Sequence, residues 1–188
     1  MTEHQKLILT VIKFKKMKHL IIIILFAFTS VAKCQPNTNI ITSTEYENIK
    51  INNIKIADIR NTLGKSNAIE SLFGTSTSKN IDQDGDFYNY NFNGFTISFS
   101  SIISDGTHDK PIISRFEITN NNAKIIIKGI PITIGDKIEK LGDVTFNTNN
   151  DNSKSILYME CDGCNNFISI EFNQSTNIIT KIEYIELT

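Results

Sequence analysis

From Asp86 to Phe99 the chain alternates large apolar and small polar side chains on both sides of Asn93-Gly94. A period of two sends successive side chains to opposite faces of an extended strand. Asn-Gly supplies the left-handed residues of a tight hairpin turn. The segment is thereby constrained to an antiparallel pair with one apolar face, and that face needs a covering layer. A second pair is expected from Ser155 to Glu160 and from Phe167 to Phe172, turning at Asp162-Gly163. Ile113 to Ile118 and Ile179 to Tyr184 read as the third strand of each set. In both, a basic residue and a glutamate flank one apolar position, which turns the charges outward and the apolar side chains inward.

An internal repeat precedes these strands. Ile54-Lys55-Ile56-Ala57-Asp58 with Leu63-Gly64 matches Ile132-Thr133-Ile134-Gly135-Asp136 with Leu141-Gly142. In each copy the spacing predicts a short extended piece, an Asp that caps a helix, and a glycine that stops it. Asp136 and Glu139 have the spacing of a capping box. The first copy adds a helix from Ser66, as N-cap, to Gly74, with Ile69, Leu72 and Phe73 on one face. Lys124-Ile125-Ile126-Ile127 reads as a linking strand.

The run Ile132-Thr133-Ile134-Gly135-Asp136-Lys137-Ile138-Glu139-Lys140-Leu141-Gly142, followed by strands, resembles the repeats of the BamE (SmpA/OmlA) outer-membrane assembly lipoproteins and of β-lactamase inhibitor protein. The resemblance implies helix-plus-meander modules that bind other proteins, and it carries over no functional residue. The expected fold is therefore α+β: two degenerate repeats, 49–123 and 124–188, each of one or two short helices and a three-stranded antiparallel meander, with helices covering the sheet. Residues 35–48 are polar and without period, and read as a flexible leader to this single domain, 49–188.

The N-terminal segment 1–34 has the order of an export signal. Lysines between Lys13 and Lys18 form a basic region, Leu20 to Phe28 an apolar one, and Thr29 to Ala32 lead to a cleavage point. Met17 begins a compact version of the same signal and is the expected true start. The apolar run is short of the roughly 20 residues that span a bilayer. Cys34 follows Lys33, where a lipobox wants a small residue, so soluble export to the periplasm or beyond is expected over lipidation at Cys34. Residues up to Cys34 hold six of the 19 basic residues and one of the 20 acidic ones, leaving 13 and 19, a net charge of −6. Such a surface disfavours nucleic acid and anionic membrane as partners.

Cys161-Asp162-Gly163-Cys164 is the sharpest motif by eye. Between strands, and in an oxidising compartment, it is expected to be a local disulfide across a turn. A redox dithiol would want its first cysteine at a helix N-terminus. Asp82, Asp84 and Asp86 alternate like calcium ligands, but the segment lacks the glycine and the distal glutamate of an EF-hand loop. His108 is the one histidine after the leader, so any His-dependent nucleophile or metal site must run through it. No catalytic, cofactor or metal residue is assigned.

The expected function is that of an exported, noncatalytic binding protein of the bacterial cell envelope. Its partner would be a protein or envelope component, met by the solvent face of the sheet and the loops at Asn93-Gly94 and Asp162-Gly163. Two other classes stay open: a small thiol-redox or other enzyme using Cys161 and Cys164, and an envelope assembly accessory lipoprotein anchored at Cys34.

Overall fold

Isoleucine and the aromatics, which lose side-chain freedom in helices, hold about half of the described residues in strands. The computed structural model describes residues 38–81, 87–102, 108–149, 153–161 and 163–186. Along the chain come β1 (Thr38–Ile40), α1 (Ser43–Glu47), β2 (Lys50–Ile51), β3 (Ile54–Lys55), α2 (Ile56–Asn61) and α3 (Ser66–Phe73). Next are β4 (Ser78–Ile81), β5 (Phe87–Phe92), β6 (Phe95–Ile102), β7 (His108–Ile118), β8 (Ile125–Ile127) and β9 (Ile130–Ile132). A 3-10 turn (Ile138–Leu141) leads to β10 (Asn147–Thr148), β11 (Lys154–Met159), β12 (Asn166–Asn173) and β13 (Ile178–Glu186).

Among the described residues nine strands form one sheet in the order β1-β11-β12-β13-β7-β6-β5-β4, with β10 beside β11. The sheet is mixed, because β1 runs parallel to β11 while the other pairs are antiparallel. A second sheet, β3-β2-β8-β9, has strands of two or three residues. It packs with the helices over the apolar face of the large sheet, and one hydrophobic cluster joins the two layers. Phe95 sits at the centre of an aromatic group, stacked on Phe92 at 4.8 Å and edge-on to Phe73 of α3 at 5.0 Å. Tyr90 of β5 is fully buried and donates its hydroxyl to the Gly64 carbonyl at 2.6 Å, pinning the connection between α2 and α3.

The expected α+β fold of two helix-covered meanders is overturned. Among the described residues there are three short helices, and the covering layer is partly a sheet. The reason lies at the supposed repeats. Ile54-Lys55 and Ile132 become β3 and the end of β9, the opposite edges of the small sheet. Asp136 caps no helix: its carboxylate accepts from the Thr133 amide and from Lys140 Nζ, both at 2.9 Å. Glu139 turns instead to the Asn177 amide, so the second copy keeps only a four-residue 3-10 turn. A strand-dominated chain with one large mixed sheet is not a BamE-like helix-plus-meander repeat, and that resemblance is withdrawn.

Local expectations shift as well. The helix from Ser66 forms, but its N-cap is Lys65, with no side-chain bond to the helix. A closed capping box stands at Thr42 and Glu45. Residues 38–47, expected as a flexible leader, are thus β1 and α1, with Ile41 and Tyr46 in the core.

Candidate interaction surface

Register assigns each side chain of the large sheet to one face. On the face turned away from the core, Glu117 of β7 stands directly opposite Glu183 of β13. Like charges so placed repel. Arg115 resolves the conflict by pairing with both, with Glu117 at 2.9 Å and with Glu183 at close range. Lys181 adds bonds to Glu183 at 3.0 Å and to Glu171 at 3.7 Å. Glu183 is left with 8% of its side chain exposed, roofed by the two basic side chains. The hydrogen bond to Glu183 raises the Lys181 pKa above its ordinary value, despite partial burial. This half of the face is charged and internally compensated.

The neighbouring row differs in kind. Ile40 pairs with Met159, Met159 with Phe167, Phe167 with Ile185, and Ile185 with Arg115. Partners in register share a face, so four apolar side chains line up across β1, β11, β12 and β13 on the side away from the core. Ile40 is 51% exposed; Phe167 and Ile185 are half-buried, and Met159 is covered. Leu157, next to this row, is half-buried too. A contiguous apolar row with a charged border is the pattern of a recognition patch.

The two hairpin tips expected to join this surface lie at opposite ends of the sheet, since β5–β6 and β11–β12 turn in opposite directions. Asn93-Gly94 is not a free loop. Gly94 is buried at φ +104°, its carbonyl accepts from the Thr119 amide, and a Cβ there would meet the Ala123 nitrogen at 2.8 Å. Asn93 itself accepts from the Asn122 side chain. At the other tip Cys161 and Cys164 form a disulfide. Cys161 is exposed and Asp162 lies outside the described residues. No helix points its N-terminus at this pair, because the chain on both sides is strand. The disulfide is a strap on an exposed turn, as suits a protein exported to an oxidising compartment.

Asp82, Asp84, Asp86 and Cys34 lie outside the described residues, as does the side chain of His108, whose backbone pairs with Ile102. Among the described residues no group of three or more candidate ligands gathers to hold a metal ion. No helix among them is long and apolar enough to cross a membrane.

Sequence reading missed one cluster entirely. Arg60 of α2 donates through Nε and Nη2 to Glu186 Oε2, both at 3.1 Å, and through Nη2 to the Tyr184 hydroxyl at 2.6 Å. Tyr184 in turn donates to Glu186 Oε2 at 2.6 Å. Burial works against the Arg60 charge, but the Tyr184 and Glu186 oxygens outweigh it and the pKa is raised. Burial also pushes the Tyr184 phenol far above its ordinary range, with Tyr46 and Glu186 adding to the shift. Tyr46, whose ring lies 6.3 Å from that of Tyr184, is pushed up to about 12 by the same burial. Its hydroxyl sits beside Tyr184 but meets no partner in good hydrogen-bond geometry among the described residues. Phenols held neutral in this way are poor bases and poor nucleophiles. The cluster is a clamp between α2 and the last strand.

Neither a family model nor a curated protein matches the chain. Among solved structures it is similar to a cysteine-rich secretory protein from Staphylococcus aureus, at 12% identity and a TM-score of 0.35. The match covers 64% of this chain and spans 41% of that one. A likeness that slight carries no argument about fold or function.

Proposed function

We propose that this chain is an exported, noncatalytic binding protein of the bacterial cell envelope, docking a partner protein on the outer face of its large sheet. The apolar row Ile40, Met159, Phe167 and Ile185 supports this reading most directly. It stands on the side of the sheet that the core does not use, bordered by Arg115 and its carboxylates. A surface with an apolar centre and a charged rim suits a folded protein partner. The buried phenols Tyr46 and Tyr184, raised in pKa by burial, are poorly suited to acid–base work.

Site-specific photocrosslinking in intact cells tests the proposal. A photoreactive residue at Phe167 should trap a discrete protein adduct that Ile185→Glu abolishes, while the same probe at exposed Asn121 traps none. Identical adducts from both positions, or none from Phe167, would refute it.

A further inference from the structure

The disulfide at the β11–β12 turn lies at the same end of the strands as the apolar row. Met159 with Phe167 is the last register pair of β11 and β12 before the turn, and Ile40 with Met159 is the last pair of β1 and β11. Phe167 with Ile185 stands one position from the end of the β12–β13 ladder, on the same side. The row thus occupies the strand ends that this turn closes. The Ile41 amide donates to the Met159 carbonyl at 2.9 Å and ties the exit of β1 to the same place.

Residues 160–165 connect the two strands, more than the two-residue loops whose backbone geometry fixes a hairpin by itself. Inside the connection the Cys164 amide reaches the Cys161 carbonyl at 3.3 Å, longer than the ordinary bond of about 2.9 Å. The covalent bond between Cys161 and Cys164 is the firmer closure. So small a loop adds little to global stability. Its effect is local, because the ladder pairs next to a loosened connection are the first to open. Cys161 is exposed, so a reductant approaches it without unfolding the sheet. Exposed disulfides are the more readily reduced ones.

We propose that this disulfide is a redox latch on the apolar row, an inference that rests on the reading of that row as the docking face. The reductant is a dithiol of the cell envelope. One of its thiolates attacks a cysteine sulfur, the partner sulfur leaves and takes a proton, and the second thiol resolves the mixed disulfide. The protein gains two thiols, and the reductant departs as a disulfide. Reduction frees the connection, Met159 and Phe167 part more often, and β1 with Ile40 loosens through the Ile41 bond. The oxidised chain docks its partner, and the reduced chain docks it weakly. The far end of the sheet, where the Thr119 amide bonds the Gly94 carbonyl, keeps its order.

Amide hydrogen exchange on the full chain, oxidised and then reduced with dithiothreitol, tests the latch. On reduction the Ile41 amide should exchange about tenfold faster through local opening, while the Thr119 amide is unchanged. The double variant Cys161→Ser, Cys164→Ser should match the reduced chain. In cells, the adduct trapped by a photoreactive residue at Phe167 should fall by about threefold in that variant, as apparent affinity follows the fraction of molecules with a closed row. Unchanged exchange at Ile41, or equal acceleration at Ile41 and Thr119, overturns the inference. An adduct as strong in the double variant as in the parent strikes the latch alone, whereas no adduct from the parent refutes the docking reading itself. The exchange comparison uses the unaltered chain, so it decides the matter even where the double variant fails to fold.

Discussion

Arg60 and Arg115, the only two arginines of the chain, grip the same strand from opposite sides. Arg60 reaches Tyr184 and Glu186 from the covered face of β13, and Arg115 reaches Glu183 from the outer face. A guanidinium brings several donors in a rigid plane, so one side chain engages two oxygens at once where an ammonium acts as a point charge. The last strand is therefore locked to α2 on one side and to β7 on the other. It is the seam where the two halves of the large sheet meet.

Replacing either arginine by lysine should loosen that seam unequally. Arg60→Lys loses the forked contact with Glu186 Oε2 and Tyr184 in a half-buried site, at a cost of about 1–3 kcal/mol. Arg115 is 46% exposed, and its lysine variant keeps a point charge between Glu117 and Glu183. The loss there should stay below about 1 kcal/mol. Urea denaturation of the two variants compares them directly. An equal loss, or the reverse order, contradicts the account.

The charge on Arg115 is expected to matter more than its shape. Arg115→Met leaves Glu183, with 8% of its side chain exposed, opposite Glu117 with only Lys181 to offset it. Adding Glu117→Gln to that variant should recover part of the stability, because one of the two facing carboxylates is gone. A double-mutant cycle measured by denaturation reads the coupling, and strictly additive losses would remove the claim.

How much of this was legible beforehand differs between elements. The hairpin through Asn93-Gly94 was, because alternation over many residues and a specific turn dipeptide agree, and Phe92 pairs with Phe95 across it. The covering layer was not. Strands of two or three residues such as Lys50–Ile51 are too short to display a period, and the isoleucines that form them suited a helix face equally well. The matched segments at Asp58 and Asp136 suggested repeated helices, but the nearby Thr133 amide and Lys140 engage the Asp136 carboxylate and the distant Asn177 engages Glu139, so no capping box closes. The outer apolar row depends on register between β1 and β11, strands separated by more than a hundred residues, and no local pattern encodes such pairing. The Arg60 clamp has the same cause. Its one visible trace was the scarcity of arginine itself.

Alkaline pH should expose the buried phenols. Tyr46 and Tyr158 have pKa values raised from 10.0 to about 12 by burial. Folding stability is fully present below the unfolded value, and falls as pH rises from 10.0 toward 12, since only the unfolded chain ionises these groups readily in that window. Denaturation midpoints measured across the range should drop, and Tyr158→Phe should make the decline shallower. A profile that is flat there places these phenols in water.

Removing the disulfide should cost little. The bond closes a loop of sequence separation 3, and small loops give the least chain-entropy benefit. The double variant Cys161→Ser, Cys164→Ser is expected to lose at most about 2 kcal/mol and to keep its sheet by circular dichroism. Thiol titration of the native chain should find neither cysteine reactive until reductant is added. A reactive, low-pKa thiol would revive the redox reading.

The segment ahead of the expected domain supplies the last test. A chain beginning at residue 49 lacks β1, which pairs in parallel with β11, and lacks α1 with Tyr46 and its contact to the Tyr184 ring. It also loses Ile41, 1% exposed and bonded through its amide to the Met159 carbonyl. Losing one such isoleucine side chain from a core costs about 2–5 kcal/mol, comparable to much of a small domain's stability. The truncated chain should therefore fail to fold cooperatively. Thr42→Ala removes the capping box alone, and should cost about 0.5–2 kcal/mol while leaving the fold intact. Thermal denaturation separates the two outcomes. A truncated chain that melts like the parent would mean that β1 and α1 are appended to the domain and add nothing to it.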